Sequence, residues 1–356
     1  MAPIVLDSVS LVLGDSLILD RVSLDIGDGE LMGIIGPSGS GKTSILRVIA
    51  GLDPVESGSI MIGGVDMTTT PTRRRGVVMA FQDAVLYPRM TAERNVGYPL
   101  ELQEVDGSEI GQRVSAAGRA FEIEEILDRL PHQLSAGHQQ LVQVARTMIR
   151  APAVFLLDEP LAWVDAGART RVRRWLRTLQ TGYRVTTLYV TNEASEAMAI
   201  ADRLAVLNEG KIQQIGEPKA IYGRPANRLV AECVGERPMN FIPVQIEVDG
   251  SGSWLVTDGI RVRSWAPEVA AHHPRLATLG VRSEDIEVDP AGEVRATALG
   301  SLRHGHHRET ELAIGSARVW MSGTGSPPAE GDVLRVRFMR WHLFTTDDGT
   351  AITHFA

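Results

Sequence analysis

Apolar and polar positions follow two different patterns along the chain, and the change falls near residue 235. Before it, short apolar runs typical of buried strands alternate with helical patterns, as in a mostly parallel sheet covered by helices. The predicted strands are Leu31–Ile35, Val77–Phe81, Val154–Leu157 and Thr187–Val190, followed by a hairpin of Arg203–Leu207 and Lys211–Ile215. Between residues 88 and 150 a charged, leucine-rich helical pattern with a break at Gly107-Ser108 predicts a helical insertion.

Beyond Pro238 short alternating runs are separated by Gly, Pro and Asp, which is typical of a small all-β sandwich or barrel. The predicted strands there include Ile242–Val248, Trp254–Thr257, Arg261–Arg263 and Val333–Phe338. We therefore predict an α/β domain at residues 1–235, with its helical part at about 88–150, and a β domain at 236–356.

Length and composition narrow the class of protein. A chain of 356 residues fits two domains. We expect neither a secretory signal nor a membrane-spanning helix, which needs roughly 20 consecutive apolar residues. The single cysteine, Cys233, fits a reducing compartment. The net charge of -8 argues against nucleic acid as a partner, because such binding relies on clustered cations.

One glycine-rich segment carries the strongest chemical signal. It matches G-x-x-x-x-G-K-[ST], follows the predicted strand Leu31–Ile35 and opens a predicted helix. Glycines let backbone N–H groups surround phosphate, the helix N-terminus adds a positive dipole, Lys42 reaches the terminal phosphates and Thr43 can ligate Mg²⁺. The predicted ATP-binding residues of this segment are Gly36, Pro37, Ser38, Gly39, Ser40, Gly41, Lys42, Thr43 and Ser44.

A second segment ends the apolar run Val154–Leu157 with two carboxylates. Asp158 is predicted to hold Mg²⁺ through water, which this ion retains strongly. Glu159 is predicted to orient the attacking water. Taken alone, such a run is more often a plain strand end; beside a phosphate loop it predicts a second nucleotide motif.

With these residues the chain resembles the ABC ATPases, specifically the ATPase subunits of carbohydrate importers of the maltose-transporter type. Gln82 matches the Q-loop glutamine, which in that family touches Mg²⁺ and the water. The segment 134–140, LSAGHQQ, stands where the LSGGQ signature belongs, and Asp165 matches the D-loop aspartate. Segments 279–285 and 342–350 are similar to motifs of the family's transport-associated OB-like (TOBE) domain. The resemblance implies a RecA-like nucleotide-binding domain with a helical insertion, followed by an OB-like β domain for regulation and dimerisation.

The resemblance also implies a function and its partners. The chain would bind and hydrolyse ATP, with Mg²⁺, to energise import of a sugar or sugar-like solute at the cytoplasmic face of the membrane. Its partners would be a second ATPase chain, two membrane permease subunits and, indirectly, an external solute-binding protein. Each ATP would lie between the Lys42 loop of one chain and Ser135 and Gly137 of the other. The solute cannot be inferred, because the motor does not touch it.

The sequence departs from the family pattern at several positions. Leu13 stands where an aromatic ring usually stacks on adenine, which predicts weaker adenine selectivity. Ala136 and His138 alter the signature. Asn192 replaces a histidine that in the family contacts the γ-phosphate, and its amide can donate a hydrogen bond but carries no charge. We therefore predict ATP binding with slow hydrolysis.

These departures leave more than one function open. The alternative to a working motor is a nucleotide-gated subunit with very slow or no hydrolysis, either regulatory or half of a heterodimeric motor; the intact Glu159 favours hydrolysis. A homodimer and a heterodimer both remain possible. An ABC ATPase acting on nucleic acid or ribosomes is disfavoured by the acidic charge. The histidines at 304, 306 and 307 are interpreted as a solvated loop, since they lack zinc-site spacing.

Overall fold

The computed structural model describes residues 2–150, 152–235, 237–250, 252–272, 275–304, 307–324 and 326–355. Contacts between residues divide the chain into two compact units, one ending at Pro218 and the other starting at Lys219. The domain boundary predicted after residue 235 lies further along the chain and stays a prediction. Across the described residues, no helix is both long and apolar enough to cross a membrane.

The first unit alternates strands and helices. In chain order its elements are β1 (Ile4–Leu13), β2 (Ser16–Ile26), β3 (Leu31–Ile35), α1 (Lys42–Ala50), β4 (Ser57–Ile62), β5 (Val65–Asp66), β6 (Val77–Ala80), α2 (Ala92–Glu101), α3 (Gly107–Phe121), α4 (Ala136–Met148), β7 (Val154–Asp158), α5 (Ala166–Tyr183), β8 (Thr186–Val190), α6 (Ala194–Ile200), β9 (Arg203–Asn208) and β10 (Lys211–Gly216).

The central sheet has the strand order β10-β9-β3-β8-β7-β6. Strands β9, β3, β8, β7 and β6 run parallel, and β10 closes the edge as an antiparallel hairpin with β9. Every residue of β3, β7 and β8 is buried, which is why these strands read as continuous apolar runs instead of alternating ones. The predicted strands of this unit are confirmed to within one residue at each end.

A second sheet of this unit, with strand order β2-β1-β4-β5, is antiparallel. Its apolar face shares one core with helix α1 and with residues of β3, β7, β8 and β9. Helix α1 is therefore held by packing against both sheets, for example through Ile45 and Ile49, which are 1% and 0% exposed. This packing fixes the direction of the helix that follows the glycine-rich loop.

The predicted helical insertion corresponds to α2, α3 and α4. The predicted break at Gly107-Ser108 is where α3 begins, and the Asp106 side chain caps that helix by accepting a hydrogen bond from the Ser108 backbone N–H at 2.8 Å. These helices, α5 and the other face of the central sheet form a second core. Helix α5 buries Val172 and Leu176 on one face, as in an amphipathic helix whose arginines lie on the opposite, solvated face.

The second unit is built mainly of antiparallel strands. Its elements are α7 (Pro218–Gly223, starting one residue before the division), α8 (Arg228–Cys233), β11 (Asn240–Asp249), β12 (Gly252–Thr257), β13 (Ile260–Ser264), α9 (Pro267–Ala270), β14 (Leu276–Val281), β15 (Ile286–Val288), β16 (Val294–His304), β17 (His307–Ile314), β18 (Ala317–Gly323), β19 (Val333–Phe338), β20 (Trp341–Thr345) and β21 (Ala351–Phe355).

These strands form two sheets, with orders β13-β12-β11-β14-β20-β21 and β15-β19-β16-β17-β18. The apolar faces of both sheets contribute to one core, with Leu255, Leu279 and Leu343 from one sheet and Leu312 and Val336 from the other. The predicted all-β character is confirmed, and the two sheets are consistent with an OB-like domain. Of the histidines interpreted above as a solvated loop, His306 and the side chains of the other two lie outside the described residues.

Candidate functional site

The glycine-rich loop leaves β3 and turns directly into α1. Gly36, Gly39 and Gly41 have φ values of 151°, 79° and 103°, a region that side chains with a Cβ rarely adopt. A Cβ at Gly36 would lie 2.0 Å from the Leu207 carbonyl oxygen at the end of β9. The loop therefore needs glycine both for its backbone conformation and because β9 packs directly against it.

Lys42, the first residue of α1, folds its side chain back over the loop. Its Nζ donates hydrogen bonds to the carbonyl oxygens of Gly36 at 2.9 Å and Pro37 at 2.8 Å, and the residue is only 5% exposed. The hydroxyl of Ser40 is also buried, and no hydrogen-bond partner for it occurs among the described residues. A buried ammonium and an unpaired buried hydroxyl beside a helix N-terminus fit a bound phosphate group.

Thr43 and Asp158 bring oxygen ligands together next to this loop. The Thr43 hydroxyl donates a hydrogen bond to Asp158 Oδ1 at 3.1 Å. Asp158 is 2% exposed at the end of β7; burial raises the pKa of its carboxyl to about 6, opposed by the Thr43 hydrogen bond and reinforced by the charge of Glu159. A hydroxyl and a carboxylate are ligands that Mg²⁺ prefers, and a cation there would stabilise the buried charge. These residues fit a Mg²⁺ site.

Glu159 is held at the centre of the site by its backbone and by two amides. Its φ is 42°, in the left-handed region, and its backbone N–H donates to the Val190 carbonyl oxygen at 2.9 Å. Its Oε2 accepts a hydrogen bond from Gln82 Nε2 at 3.2 Å, and its Oε1 accepts one from Asn192 Nδ2. Gln82, Glu159 and Asn192 follow the carboxyl ends of the neighbouring strands β6, β7 and β8, where ligands of open parallel sheets bind.

The signature and D-loop residues form a second group at the start of two helices. Ser135 caps α4 by accepting a hydrogen bond from the His138 N–H at 3.2 Å, and Asp165 caps α5. Hydrogen bonds from the backbone of α5 lower the pKa of the Asp165 carboxyl. A Cβ at Gly137 would lie 2.7 Å from the Trp163 carbonyl oxygen, so the two segments are in close backbone contact.

Leu13 lies at the end of β1, where it pairs with Ser16 across the turn to β2. It is 46% exposed, and the neighbouring Leu17 is 57% exposed. The contact of Leu13 with adenine stays a prediction.

Sequence reasoning gave no role to two glutamines of α4, although Gln140 ends the signature segment 134–140. Gln140 is 0% exposed and Gln143 is 2% exposed. Gln140 donates to the carbonyl oxygens of Glu159 at 3.0 Å and Gln82 at 3.4 Å, and it accepts a hydrogen bond from the Trp163 N–H at 2.7 Å. The available signal was the placement of these amides among apolar helix positions, since a buried amide needs partners.

Comparison with known protein families identifies the first unit. A family model described as "ABC transporter" matches residues 19–162. The chain is 37% identical over 335 residues to the sn-glycerol-3-phosphate import ATP-binding protein UgpC of Roseobacter denitrificans, and the match covers 90% of this chain and 91% of that protein. The protein of the same name from Ruegeria pomeroyi is 40% identical over 321 residues, covering 88% of this chain and 89% of that protein.

Solved structures give the same result for the fold. The dimeric post-hydrolysis state of the ATP-binding cassette MJ0796 bound to ADP and Pi is similar with a TM-score of 0.56 and 28% identity, over 60% of this chain and 98% of that chain. The dimeric structure of MJ0796 described as a bacterial ABC transporter cassette gives a TM-score of 0.55 and 29% identity.

Proposed function

Since the chain belongs to the ABC transporter family, as an ATP-hydrolysing subunit that energises an importer, we propose that it drives uptake of a phosphorylated polyol. The proposed solute rests on the relatives, which are named as sn-glycerol-3-phosphate import proteins. One observation within this chain carries the hydrolysis. The Glu159 carboxylate is held between the amides of Gln82 and Asn192, beside the Thr43–Asp158 pair and the phosphate loop.

In the proposed reaction each group has a separate task. The backbone of the loop Gly36–Thr43 and the Lys42 ammonium bind the phosphates of ATP. Thr43, Asp158 and Gln82 hold Mg²⁺, which when bound neutralises charge that develops on the phosphates. Glu159 accepts a hydrogen bond from the attacking water and orients it towards the γ-phosphate. The amides of Gln82 and Asn192 keep the carboxylate in place.

The working unit that we propose is a dimer attached to membrane subunits. Similar cassettes form dimers, and in this chain Ser135 and Gly137 lie at the exposed start of α4, where they can face the ATP of a second chain. In a homodimer the second chain is another copy of this chain, and in a heterodimer it is a related chain. Two permease subunits and an external solute-binding protein complete the importer, with the chain at the cytoplasmic face. Residues 1–235 then bind nucleotide, and residues 236–356 regulate and dimerise.

The alternative of a subunit that binds ATP without hydrolysing it gains no support from the relatives or from the described residues. The carboxylate that such a subunit would lack is present and is hydrogen bonded on both oxygens. Asn192 bears on the rate of hydrolysis and leaves the groups that perform it in place.

Hydrolysis is tested with the purified chain and two matched variants. We expect Mg²⁺-dependent phosphate release that Glu159→Gln lowers by at least about 100-fold while ATP still binds. Glu122→Gln is the control, because Glu122 is a surface glutamate that also has a left-handed φ, of 56°, and pairs with Arg171 away from the phosphate loop. Wild-type turnover in Glu159→Gln would contradict the assignment.

The solute is tested in proteoliposomes that contain the chain and its permease subunits. We expect external binding protein loaded with sn-glycerol 3-phosphate to stimulate ATP hydrolysis, and the same protein offered unphosphorylated glycerol to leave the rate at its basal level. Stimulation by an uncharged sugar in place of the phosphorylated solute would overturn the proposed substrate class.

A further inference from the structure

Helix α4 carries a polar stripe that is buried within the first unit. Gln140, Gln143 and Arg146 are spaced three residues apart and lie on one face of the helix. Gln140 and Gln143 are at most 2% exposed. Burying an amide is costly unless its donor and acceptor are both satisfied, so the partners of these side chains indicate what the stripe is for.

The partners of Gln143 lie on both sides of Gln82. Gln143 Nε2 donates to the carbonyl oxygen of Phe81 at 2.6 Å, and Gln143 Oε1 accepts a hydrogen bond from the Val85 backbone N–H at 2.6 Å. One turn further along α4, Arg146 donates to the Val85 carbonyl oxygen at 2.5 Å. A single amide thus fixes the backbone before and after Gln82, over the five-residue span from 81 to 85.

This arrangement differs from that of another buried glutamine in the same unit. Gln180, on α5, is also 2% exposed, and its Nε2 donates to the carbonyl oxygens of Gly29 at 2.7 Å and Val185 at 3.0 Å. Those bonds join the end of α5 to the turn at Gly29 and to the residue that precedes β8. Gln143 instead holds a segment whose own side chain, that of Gln82, donates to the Glu159 carboxylate.

We infer that Gln143 is a positioning residue for ATP hydrolysis, which acts by holding the 81–85 segment so that Gln82 reaches Glu159. The inference rests on the proposed function. Helix α4 would then have two roles. Gln143 on this helix holds the 81–85 segment, and Ser135, which caps the start of the helix, is proposed to face the ATP of the second chain. The geometry of the hydrolytic group in one site is thereby linked to the helix that contacts the other.

The first test compares Gln143→Met with Gln180→Met in the full chain. Methionine keeps the volume of glutamine and removes its hydrogen bonds. We expect Gln143→Met to lower kcat by about 10- to 100-fold, as displacement of a reacting group by about 1 Å does, with KM for ATP changed less than about twofold. Gln180→Met should retain the wild-type kcat. Equal kcat in the wild type and Gln143→Met would overturn the inference.

Gln143→Met in a Gln82→Ala background shows whether Gln143 acts by positioning Gln82 or by stabilising the unit in general. If Gln143 acts through Gln82, Gln143→Met should lower kcat by less than about twofold in that background. The full 10- to 100-fold loss there would show that Gln143 acts elsewhere and would contradict the inference.

A measurement independent of turnover distinguishes failure of this inference from failure of the proposed function. Hydrogen exchange of the peptide containing Val85 should become faster in Gln143→Met and stay unchanged in Gln180→Met, because Gln143 protects that N–H. An inactive wild type would overturn the proposed function, whereas unchanged exchange at Val85 would overturn the role of Gln143.

Discussion

Asn192 donates a hydrogen bond from its side-chain amide to Oε1 of Glu159. Gln82 donates to the other carboxylate oxygen at 3.2 Å, so neutral amides hold both oxygens and neither brings a positive charge. The sequence predicted that Asn192 replaces a histidine near the γ-phosphate. The structure adds that Asn192 donates a hydrogen bond to the carboxylate proposed to orient the water, so we expect its identity to affect the rate.

Replacing Asn192 by histidine is expected to speed up hydrolysis. An imidazolium can form a charge-assisted contact in the transition state, and such contacts contribute about 2–4 kcal/mol. We therefore expect Asn192→His to raise kcat by roughly 30- to 900-fold, measured as phosphate release at saturating Mg²⁺ and ATP. Asn192→Ala, which removes the amide without adding charge, is the control and should be slower than wild type. A wild type as fast as Asn192→His would contradict the prediction.

Nucleotide selectivity is expected to respond to Leu13. An aromatic ring at this exposed position would stack on adenine and contribute about 1 kcal/mol more than leucine. Leu13→Tyr should therefore tighten ATP binding about fivefold, measured by equilibrium titration of the Glu159→Gln chain. Val65→Tyr places the same ring at an exposed site on β5, which is 56% exposed, and should leave the affinity unchanged. An equal gain in both variants would refute a role for Leu13 in the base site.

The close contact between the signature and the D-loop predicts the effect of adding one methyl group. In Gly137→Ala the new Cβ would start 2.7 Å from the Trp163 carbonyl oxygen, so the backbone must shift. We expect the free energy of unfolding to fall by about 1–3 kcal/mol, measured by denaturant titration. Ala136→Gly alters the adjacent exposed residue and should cost no more than about 1 kcal/mol. Equal losses of unfolding free energy in the two variants would show that the contact between Gly137 and the Trp163 carbonyl oxygen does not cause the loss.

The stability of the second unit is expected to decrease in mild acid because of His342. This residue is 5% exposed, and burial, with the charges of His354 and two arginines, lowers the pKa of its imidazole to about 3. Its Nδ1 lies 2.8 Å from His354 Nδ1, an arrangement that requires one of the two nitrogens to be unprotonated. The imidazole has its ordinary pKa of about 6.5 in the unfolded chain. Between pH 6.5 and pH 3 the unfolded chain therefore binds more protons than the folded chain, and stability is lost as the pH falls through that range.

The expected loss is about 2 kcal/mol in the free energy of unfolding between pH 7 and pH 5. Denaturant unfolding can be followed by tryptophan fluorescence in a chain that carries Trp163→Phe and Trp175→Phe, since the remaining tryptophans lie in the second unit. His342→Gln should flatten the pH dependence, whereas His132→Gln, at an exposed position of the first unit, should leave it unchanged. If the pH dependence of the unfolding free energy is unchanged in His342→Gln, groups other than His342 cause it.

Much of the fold could be predicted because its central strands are buried on both faces. Leu31–Ile35 reads as a continuous apolar run for that reason and is confirmed without change. Strand β1 escaped prediction because its pairing with β2 is interrupted by irregularities between Leu6 and Val12, which break the alternation of apolar and polar positions. The antiparallel sheet that covers α1 was therefore absent from the sequence-based description.

The candidate site could be predicted in its parts but not in its assembly. Motifs marked Gln82, Glu159 and Asn192 individually, whereas their meeting depends on the strand order β8-β7-β6, which the order along the chain does not reveal. Gln143 could not be assigned at all, because its partners Phe81 and Val85 lie 62 and 58 residues away. Local patterns show which residues are polar, and only the tertiary structure shows which polar groups they satisfy.

The left-handed backbone of Glu159 sets the stability of the fold against the activity of the site. A residue with a Cβ at φ 42° costs about 1–2 kcal/mol relative to one that tolerates this region, such as glycine. Glycine at this position would therefore make the fold more stable and remove the carboxylate in the same step. Stability and catalysis therefore make opposite demands at position 159, so a substitution chosen for stability alone would remove the group proposed to orient the water.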